Sequence, residues 1–354
     1  MNDQAKKLRE LAQKIREERD RASLIFDPTA RRPEKNLSGW DIIPVPKNAT
    51  SSTMGDIIAH LETSGIAREP KTPTPTPTQA PRQIPATRVI AVSSGKGGVG
   101  KSNLVANLGI ALSKRGRKVM VFDADLGLAN IDVLFDINPK YNLKQLVDGD
   151  KTLPEILVKG PYSLTIVPGG SGIPELANLS DEQQQKLLEN FSSLEREFDI
   201  TLIDTGAGIS KDIISFILAA REAIIITTPE PTAITDAYGM IKVLTQRDSS
   251  VDIKLVVNMV SDEKEGQDIA NRIIMATKQF LGKRIEALGY IVTDPSVSMS
   301  VVKQSPLILG YPNSRAAKCI MQIAETIDRT STKDSRQIAK RNGFRGFLSR
   351  FFER

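Results

Sequence analysis

The sequence predicts an α/β fold, a mostly parallel β-sheet with helices on both faces. From Thr87 onward, short runs rich in isoleucine and valine alternate with stretches of helical periodicity, as in sheets whose strands are joined by crossover helices. A glycine-rich loop separates the first such strand from the first helix. Strands are expected at 88–93, 118–123, 163–168, 199–204, 222–228, 252–259 and 287–292, and helices at 101–115, 182–196, 210–221, 231–247, 265–281 and 312–328.

Four segments follow from changes in composition. Residues 1–26 predict a charged helix, and residues 27–87 a Pro/Thr-rich linker that is expected to be largely disordered. The linker holds Trp40, the chain's single tryptophan. The α/β domain is expected at 88–330 and a basic amphipathic tail at 331–354.

Composition excludes several classes of protein. One cysteine and one histidine cannot build a disulfide framework or a structural zinc site. No stretch approaches the 18 apolar residues of a membrane-spanning helix, so a cytoplasmic protein is expected. Most of the net charge of +6 comes from 333–354, where seven basic residues face two acidic ones. This pattern favours a specific basic tail over a general nucleic-acid surface.

The glycine-rich loop has the phosphate-loop pattern of Gly, four residues, Gly-Lys-Ser. Its glycines let backbone N–H groups turn toward a phosphate, Lys101 can reach the β- and γ-phosphates, and the Ser102 hydroxyl can ligate Mg²⁺. The following helix presents its N-terminus to the same phosphates. The residues expected to contact nucleotide are Gly95, Lys96, Gly97, Gly98, Val99, Gly100, Lys101, Ser102 and Asn103.

Carboxylates follow two of the predicted strands. Asp123 and Asp125 close the second strand, where they can address Mg²⁺ and an attacking water. Asp204 ends an apolar strand in the Walker B pattern, and the backbone of the glycines after it can sense a γ-phosphate. Each aspartate could instead cap the next helix.

The run Lys-Gly-Gly-Val-Gly-Lys-Ser, with an extra lysine at Lys96, resembles the deviant Walker A loop of the MinD/ParA ATPases over roughly 87–330. The resemblance implies a P-loop NTPase fold of the SIMIBI class, ATP or ADP with Mg²⁺, and two nucleotides sandwiched between two subunits. Lys96 would then contact the partner's nucleotide; a solvated loop lysine is the alternative. The implied catalytic residues are Lys96, Lys101 and Asp125, and the implied metal residues are Ser102, Asp123 and Asp204.

The same resemblance suggests where adenine binds. Asn258 matches the family's base-contacting asparagine at a strand end, and Asp294-Pro295 lies in the loop that usually flanks the base. All three could equally be turn formers.

The N-terminus narrows the resemblance. Asp3-Gln4-Ala5-Lys6-Lys7-Leu8-Arg9 is similar to the opening segment of the FlhG group, MinD-like regulators of flagellar number and placement. The similarity implies that this helix stimulates the FlhF GTPase, with Gln4 near its catalytic site; a solvated helix start is the alternative. About sixty residues separate the motif from the domain, so the helix would act as a tethered arm. The implied FlhF-binding residues are Asp3, Gln4, Ala5, Leu8 and Arg9.

The C-terminal tail carries one apolar stripe. Its members lie at helical spacing with arginines beside them, which is typical of a helix that lies on an anionic membrane. We expect the tail to bind the inner face of the cell membrane when ATP has paired two chains. The alternative is a stripe packed on the protein's own core. The stripe consists of Phe344, Phe347, Leu348, Phe351 and Phe352.

These features predict a Mg-ATP-dependent, dimerising ATPase switch that regulates flagellar number or placement and activates FlhF. Flagellar C-ring components or a flagellar transcription regulator are further expected partners. A MinD-type division-site regulator is one alternative. A ParA-type segregation ATPase is another, although it would call for a basic core. A scaffold with a dead ATPase is disfavoured because the complete set of site residues is present.

Overall fold

A computed structural model describes residues 87–125, 130–169, 179–192, 194, 197–333 and 343–353. All of them belong to one structural unit, Gln79–Arg354. The helix expected at 1–26 and nearly all of the linker at 27–87 lie outside the described residues, as do residues 334–342 of the tail.

The described strands form one eight-stranded sheet in the order β3-β4-β2-β5-β1-β6-β7-β8. Neighbouring strands are parallel except for the β3–β4 pair. Each of the seven predicted strands is present; β3, of two residues, was missed because so short an element has no periodicity. The strands are β1 (Arg88–Ser94), β2 (Val119–Ala124), β3 (Val158–Lys159), β4 (Thr165–Val167), β5 (Ile200–Ala207), β6 (Glu222–Thr227), β7 (Asp252–Val260) and β8 (Glu286–Val292).

Helices cover both faces of the sheet, as predicted. The six long helices are confirmed, and the short ones between them were missed. No helix in the described part of the chain is long and apolar enough to cross a bilayer. The helices are α1 (Lys101–Lys114), α2 (Ile131–Phe135), α3 (Leu143–Asp148), α4 (Leu153–Ile156), α5 (Asp181–Ser192), α6 (Lys211–Ala220), α7 (Pro231–Arg247), α8 (Glu263–Leu281), α9 (Pro295–Val302), α10 (Leu307–Gly310), α11 (Arg315–Lys333) and α12 (Phe344–Phe352).

The direction of the crossovers decides which face each helix covers. The chain moves from β1 outward to β2 in one direction, and from β5 through β6 and β7 to β8 in the other. Because parallel crossovers are right-handed, α1 lies on one face and α6, α7 and α8 lie on the other. The central strands β1 and β6 are buried at every position. This arrangement brings the carboxyl ends of β1, β2 and β5 together at one edge.

A buried ion cluster holds the opposite end of the central strands. The Glu222 carboxylate, 1 % exposed, accepts hydrogen bonds from Arg88 and from Lys254 Nζ at 2.9 Å. Burial alone would raise the pKa of Glu222, but the two cations outweigh it and lower the pKa to about 2. Arg88 also donates to the Ile327 carbonyl at 2.9 Å, so the cluster ties α11 to the sheet.

The C-terminal stripe is buried on the protein's own core in the single chain, which was the alternative to a membrane-binding surface; its binding to a membrane in an ATP-bound dimer stays a prediction. Phe344, Phe347, Leu348 and Phe351 are at most 6 % exposed, and Phe352 packs partly buried against the same core. Helix α12 lies against α5 and α6. A stripe at helical spacing suits a groove between two helices as well as it suits a bilayer, so periodicity alone could not decide between them.

Aromatic rings line the groove that holds α12, which we call the tail groove. The Phe344 ring centroid is 4.8 Å from that of Phe191 on α5 and 5.7 Å from that of Phe122 on β2. The Phe351 ring stacks on Phe216 of α6 at 4.2 Å. Aromatic pairs at these separations stabilise beyond the area they bury, so the tail is specifically seated.

Arg350, one of the arginines beside the stripe, also bonds within the protein. Its Nε donates to the Ala219 carbonyl at 2.9 Å. This carbonyl belongs to the last turn of α6, where carbonyl groups lack helical partners. Arg350 therefore stabilises the end of the helix on which the tail lies.

Candidate nucleotide-binding site

The phosphate loop connects β1 to α1, and its glycines are required by geometry. Gly98 and Gly100 have φ values of 80° and 89°, which side chains other than glycine's rarely adopt. A Cβ on Gly100 would lie 2.4 Å from Asn258 Nδ2, and one on Gly95 would lie 2.5 Å from the Asp236 backbone. The loop is therefore held between α7 and the end of β7.

Lys101 lies in the first turn of α1 and is buried among carboxylates. Its Nζ lies 2.6 Å from Asp204 Oδ1 and 3.9 Å from Asp125 Oδ2. The predicted phosphate-binding lysine and the predicted Walker B aspartate are thus in direct contact. The oxygens of a polyphosphate bound in the loop would compete with Asp204 for the Lys101 ammonium group.

Three carboxylates meet at the ends of β2 and β5. Asp123 and Asp204 occupy the same register position on these neighbouring strands, and Asp123 Oδ1 accepts a hydrogen bond from the Asp125 N–H at 3.1 Å. Burial and the negative charge of Asp204 raise the pKa of Asp123 to about 7, and burial is the larger cause. The negative charges of these aspartates repel one another, and a bound cation would relieve that repulsion.

The donor set fits Mg²⁺. Burial raises the pKa of Asp204, although the Lys101 ammonium and the Ser102 hydroxyl oppose that shift. Among the described residues, Asp204 Oδ2 is buried without a hydrogen-bond partner. Mg²⁺ prefers carboxylate and hydroxyl oxygens and keeps several waters, so Asp204, Asp123 and Ser102 could hold the ion directly or through water.

Lys96 is held at the side of the loop by the start of α7. Its Nζ lies 2.6 Å from Glu230 Oε1 and 3.1 Å from Thr232 Oγ1. The Lys96 and Thr232 bonds lower the pKa of the Glu230 carboxyl. The Lys96 side chain is 38 % exposed, and exposed ion pairs stabilise little. Lys96 is therefore a surface cation that a stronger anion can recruit.

Glu230 was not among the predicted site residues. A signal existed, because Glu230 lies three residues beyond β6 on the edge where parallel strands end. Met259, which lines the adjoining cavity with a φ of 59°, was also missed, and no sequence pattern marks it.

The segment after Asp204 is tied to the start of the loop. The Gly208 N–H donates to the Ser94 carbonyl at 2.8 Å, and the Ser94 hydroxyl donates to the Lys96 carbonyl at 2.8 Å. Thr205 Oγ1 lies 2.9 Å from Ser93 Oγ. Movement of the predicted γ-phosphate sensor would therefore be transmitted to the backbone of Lys96.

A cavity of about 190 Å³ adjoins the loop on the side of β7 and β8. Asn258 lines it, donating from Nδ2 to the Val99 carbonyl at 2.8 Å. Asp294 lines it too, but its carboxylate caps α9 through the Ser296 N–H and accepts the Ala316 N–H. Adenine contacts by Asn258, Asp294 and Pro295 stay predictions. The lining includes Gly100, Asn103, Leu104, Asn258, Met259, Ile291, Val297 and Ile320.

The structure thus brings the predicted phosphate-binding lysine and the predicted metal-binding residues together at the carboxyl edge of the sheet. Lys96 lies at the rim of this group. The residues predicted to bind FlhF lie outside the described part of the chain, and the tail stripe lies in the tail groove. The grouped residues are Lys101, Ser102, Asp123, Asp125 and Asp204.

Comparisons with known proteins show the family to which the chain belongs. A family model described as "ParA: NUBPL iron-transfer P-loop NTPase" matches residues 85–328. The chain is 38 % identical to the antiactivator FleN of Pseudomonas aeruginosa over 68 % of this chain and 86 % of FleN. It is 34 % identical to the flagellum site-determining protein YlxH of Helicobacter pylori over 75 % of this chain and 90 % of YlxH.

A solved structure gives the same fold. The septum site-determining protein MinD from Pyrococcus horikoshii, complexed with Mg-ADP, superposes with a TM-score of 0.57 at 27 % identity, covering 69 % of this chain and 97 % of MinD. The description of the family model names iron transfer; this chain has a single cysteine, Cys319, which is buried. The chain belongs to the MinD/ParA family of P-loop NTPases.

Proposed function

We propose that this protein is a Mg²⁺-dependent ATPase that works as a dimerising switch in the control of flagellar number and placement. The observation that carries the proposal is Lys96. It is a cation on the phosphate loop, yet its Nζ bonds to Glu230 at the rim while Lys101 lies buried beside Asp204. The relative YlxH, whose name is flagellum site-determining protein, supports the cellular role.

The residues of one chain are arranged to bind the nucleotide. Lys101 and the loop N–H groups would neutralise the phosphates, and Ser102, Asp123 and Asp204 would hold Mg²⁺, which supplies charge neutralisation at the transferring phosphoryl group. Asp125, whose side chain is 21 % exposed, would orient the attacking water. Lys101 exchanges its contact with Asp204 for phosphate oxygens as the nucleotide enters.

A second chain would complete the site. Lys96 would leave Glu230 and reach the phosphates bound by the partner subunit, where a preorganised cation stabilises the charge that develops during phosphoryl transfer. Because the exposed contact with Glu230 stabilises little, the exchange costs little. Hydrolysis would then separate the chains. The functional output would be the cycle of dimer formation and separation rather than the product of hydrolysis.

The same cycle would control membrane binding at the inner face of the cell membrane. The tail groove includes Phe122, next to Asp123, and Phe216 on α6, the helix that follows the predicted γ-phosphate sensor. A movement of β2 or α6 when nucleotide binds would alter the groove, so the tail would leave it in the ATP-bound dimer. Two released tails would bind with avidity, about 10²–10⁴ above one tail alone.

FlhF is the proposed partner of residues 1–26, and a peptide can test this. A peptide of residues 1–25 is expected to accelerate GTP hydrolysis by the cognate FlhF, because a tethered arm needs little from the ATPase domain. Gln4→Ala should weaken the stimulation, while Gln13→Ala in the same peptide serves as the control. Phosphate release measures the rate. An inert peptide, alongside stimulation by the full chain, would contradict the tethered arm.

Deletion of the gene tests the cellular role. We expect cells with an altered number or placement of flagella and normally placed septa, scored by electron microscopy, and rescue by the wild-type gene. MinD relatives make division-site placement the second candidate. Normal flagella with displaced septa would favour that candidate. The name antiactivator for FleN makes a flagellar transcription regulator a further proposed partner, beside the C-ring components.

A further inference from the structure

Two asparagines on successive turns of α1 connect the nucleotide cavity to helix α10. Asn103 lies in the first turn and lines the cavity, whereas Asn107 lies one turn later and is 1 % exposed. The backbone N–H of Ile308, at the start of α10, donates to Asn107 Oδ1 at 2.9 Å. A buried amide at this junction has few alternative partners.

The backbone fixes the orientation of the Asn107 amide. The Ile308 N–H can only donate, so the atom that it contacts must be the oxygen of Asn107. On its other side, Asn107 Nδ2 lies 2.8 Å from the Asn103 carbonyl oxygen, which can only accept. The two backbone contacts agree, and a flipped amide would lose both.

This orientation passes to the Asn103 side chain. Asn107 Nδ2 also lies 3.1 Å from Asn103 Oδ1, and a donor there requires an oxygen on Asn103. The Asn103 amide therefore places its oxygen against Asn107, and its N–H₂ group is the opposite end of the amide. Asn103 lines the cavity together with Gly100 and Asn258, where that N–H₂ group would offer donors to a ligand.

We propose that Asn107 is a positioning residue that holds the Asn103 amide as a hydrogen-bond donor toward the nucleoside monophosphate part of the bound nucleotide. The proposal rests on the proposed nucleotide site. The acceptors available there are α-phosphate, ribose and base atoms. Asn103 would discriminate for the nucleotide over a bare polyphosphate, because the cavity extends beyond the loop that takes the terminal phosphates.

Asn107→Asp tests the proposal in the full chain. The new side chain keeps the shape and still accepts the Ile308 N–H, but in its ionised form, at a pH well above its pKa, it cannot donate to Asn103, whose amide must flip and turn its oxygen to the ligand. ADP affinity, measured by calorimetry with Mg²⁺, should fall about 10- to 100-fold, the cost of losing one hydrogen bond and facing a misplaced acceptor. Inorganic pyrophosphate should bind as it does to the wild type.

Further variants separate positioning from general damage. Asn103→Ala should weaken ADP similarly, and adding Asn107→Asp to it should weaken ADP no further, since both act on one donor. Asn190→Asp is the matched control, because Asn190 donates to a helix carbonyl four residues earlier on α5; it should leave ADP affinity unchanged. Asn103→Asp tests the same donor if Asn107→Asp fails to fold, and should weaken ADP more than Asn103→Ala does.

Three results would each overturn the proposal. The first is unchanged ADP affinity in Asn107→Asp or, where that variant fails to fold, in Asn103→Asp. The second is additive losses of ADP affinity in the double variant, and the third is a parallel loss of pyrophosphate binding. A wild-type chain that binds neither ADP nor pyrophosphate would instead refute the nucleotide site itself. Two ADP analogues identify the acceptor: 2′-deoxy-ADP alters the ribose, and an α-phosphorothioate analogue alters the α-phosphate. Asn107→Asp should no longer weaken binding of the analogue in which the acceptor itself is altered.

Discussion

Lys96→Ala is expected to abolish ATP-dependent dimerisation while leaving ADP affinity within a few-fold of the wild type. Lys101 lies buried beside Asp204 and is placed to hold the phosphates of its own chain, whereas Lys96 contacts Glu230 and Thr232 at the rim. Removing Lys96 thus removes the cation that a second chain would use. Light scattering with Mg-ATP measures the mass, and calorimetry measures ADP affinity.

Lys114→Ala provides the matched control. Lys114 lies in the last turn of α1, the helix that follows the loop, and is exposed, so the variant makes the same change in charge far from the phosphate loop. It should dimerise like the wild type. Unimpaired dimerisation of Lys96→Ala would remove Lys96 from the interface.

Asp125→Ala should have the opposite phenotype: a dimer that forms with ATP and persists. Asp125 lies beside Lys101 and Asp123 at the carboxyl edge, with its side chain partly open to solvent. Loss of a group that orients the attacking water costs about 10²–10⁴ in rate, while the contacts that assemble the dimer remain. Phosphate release at saturating ATP should therefore fall by that factor, with dimerisation retained.

Asp268→Ala, at an exposed position on α8, is the matched control and should hydrolyse ATP at the wild-type rate. Normal turnover by Asp125→Ala would show that another group orients the water. Loss of the dimer together with loss of turnover would place Asp125 in assembly instead.

The sequence predicted the sheet well because each long parallel strand is buried on both faces and so forms an apolar run. The strand-end rule then located Asp123 and Asp204, which lie in register on β2 and β5. The short elements β3, α2 and α4 were missed because they are held by neighbouring segments and carry too few residues for a period.

Contacts between distant segments could not be predicted. The loop pattern identifies Lys96 as a candidate site residue. It does not predict that Lys96 bonds to the Glu230 carboxylate, which lies 134 residues later in the chain. Asp294 lines the cavity beside the loop, but the sequence could not show that its carboxylate also caps α9. The apolar stripe of α12 has the same spacing whether it faces lipid or Phe216, so its burial in the tail groove became visible from the packing alone.

We propose that ATP, by pairing two chains, releases the tail to the membrane. Sedimentation with anionic liposomes tests it most directly, comparing the full chain with ADP and with a non-hydrolysable ATP analogue. We predict pelleting with the analogue and little with ADP, because α12 is seated in the tail groove of the single chain. Lys96→Ala should stay in the supernatant in both states. Equal pelleting with ADP and the analogue would contradict the account.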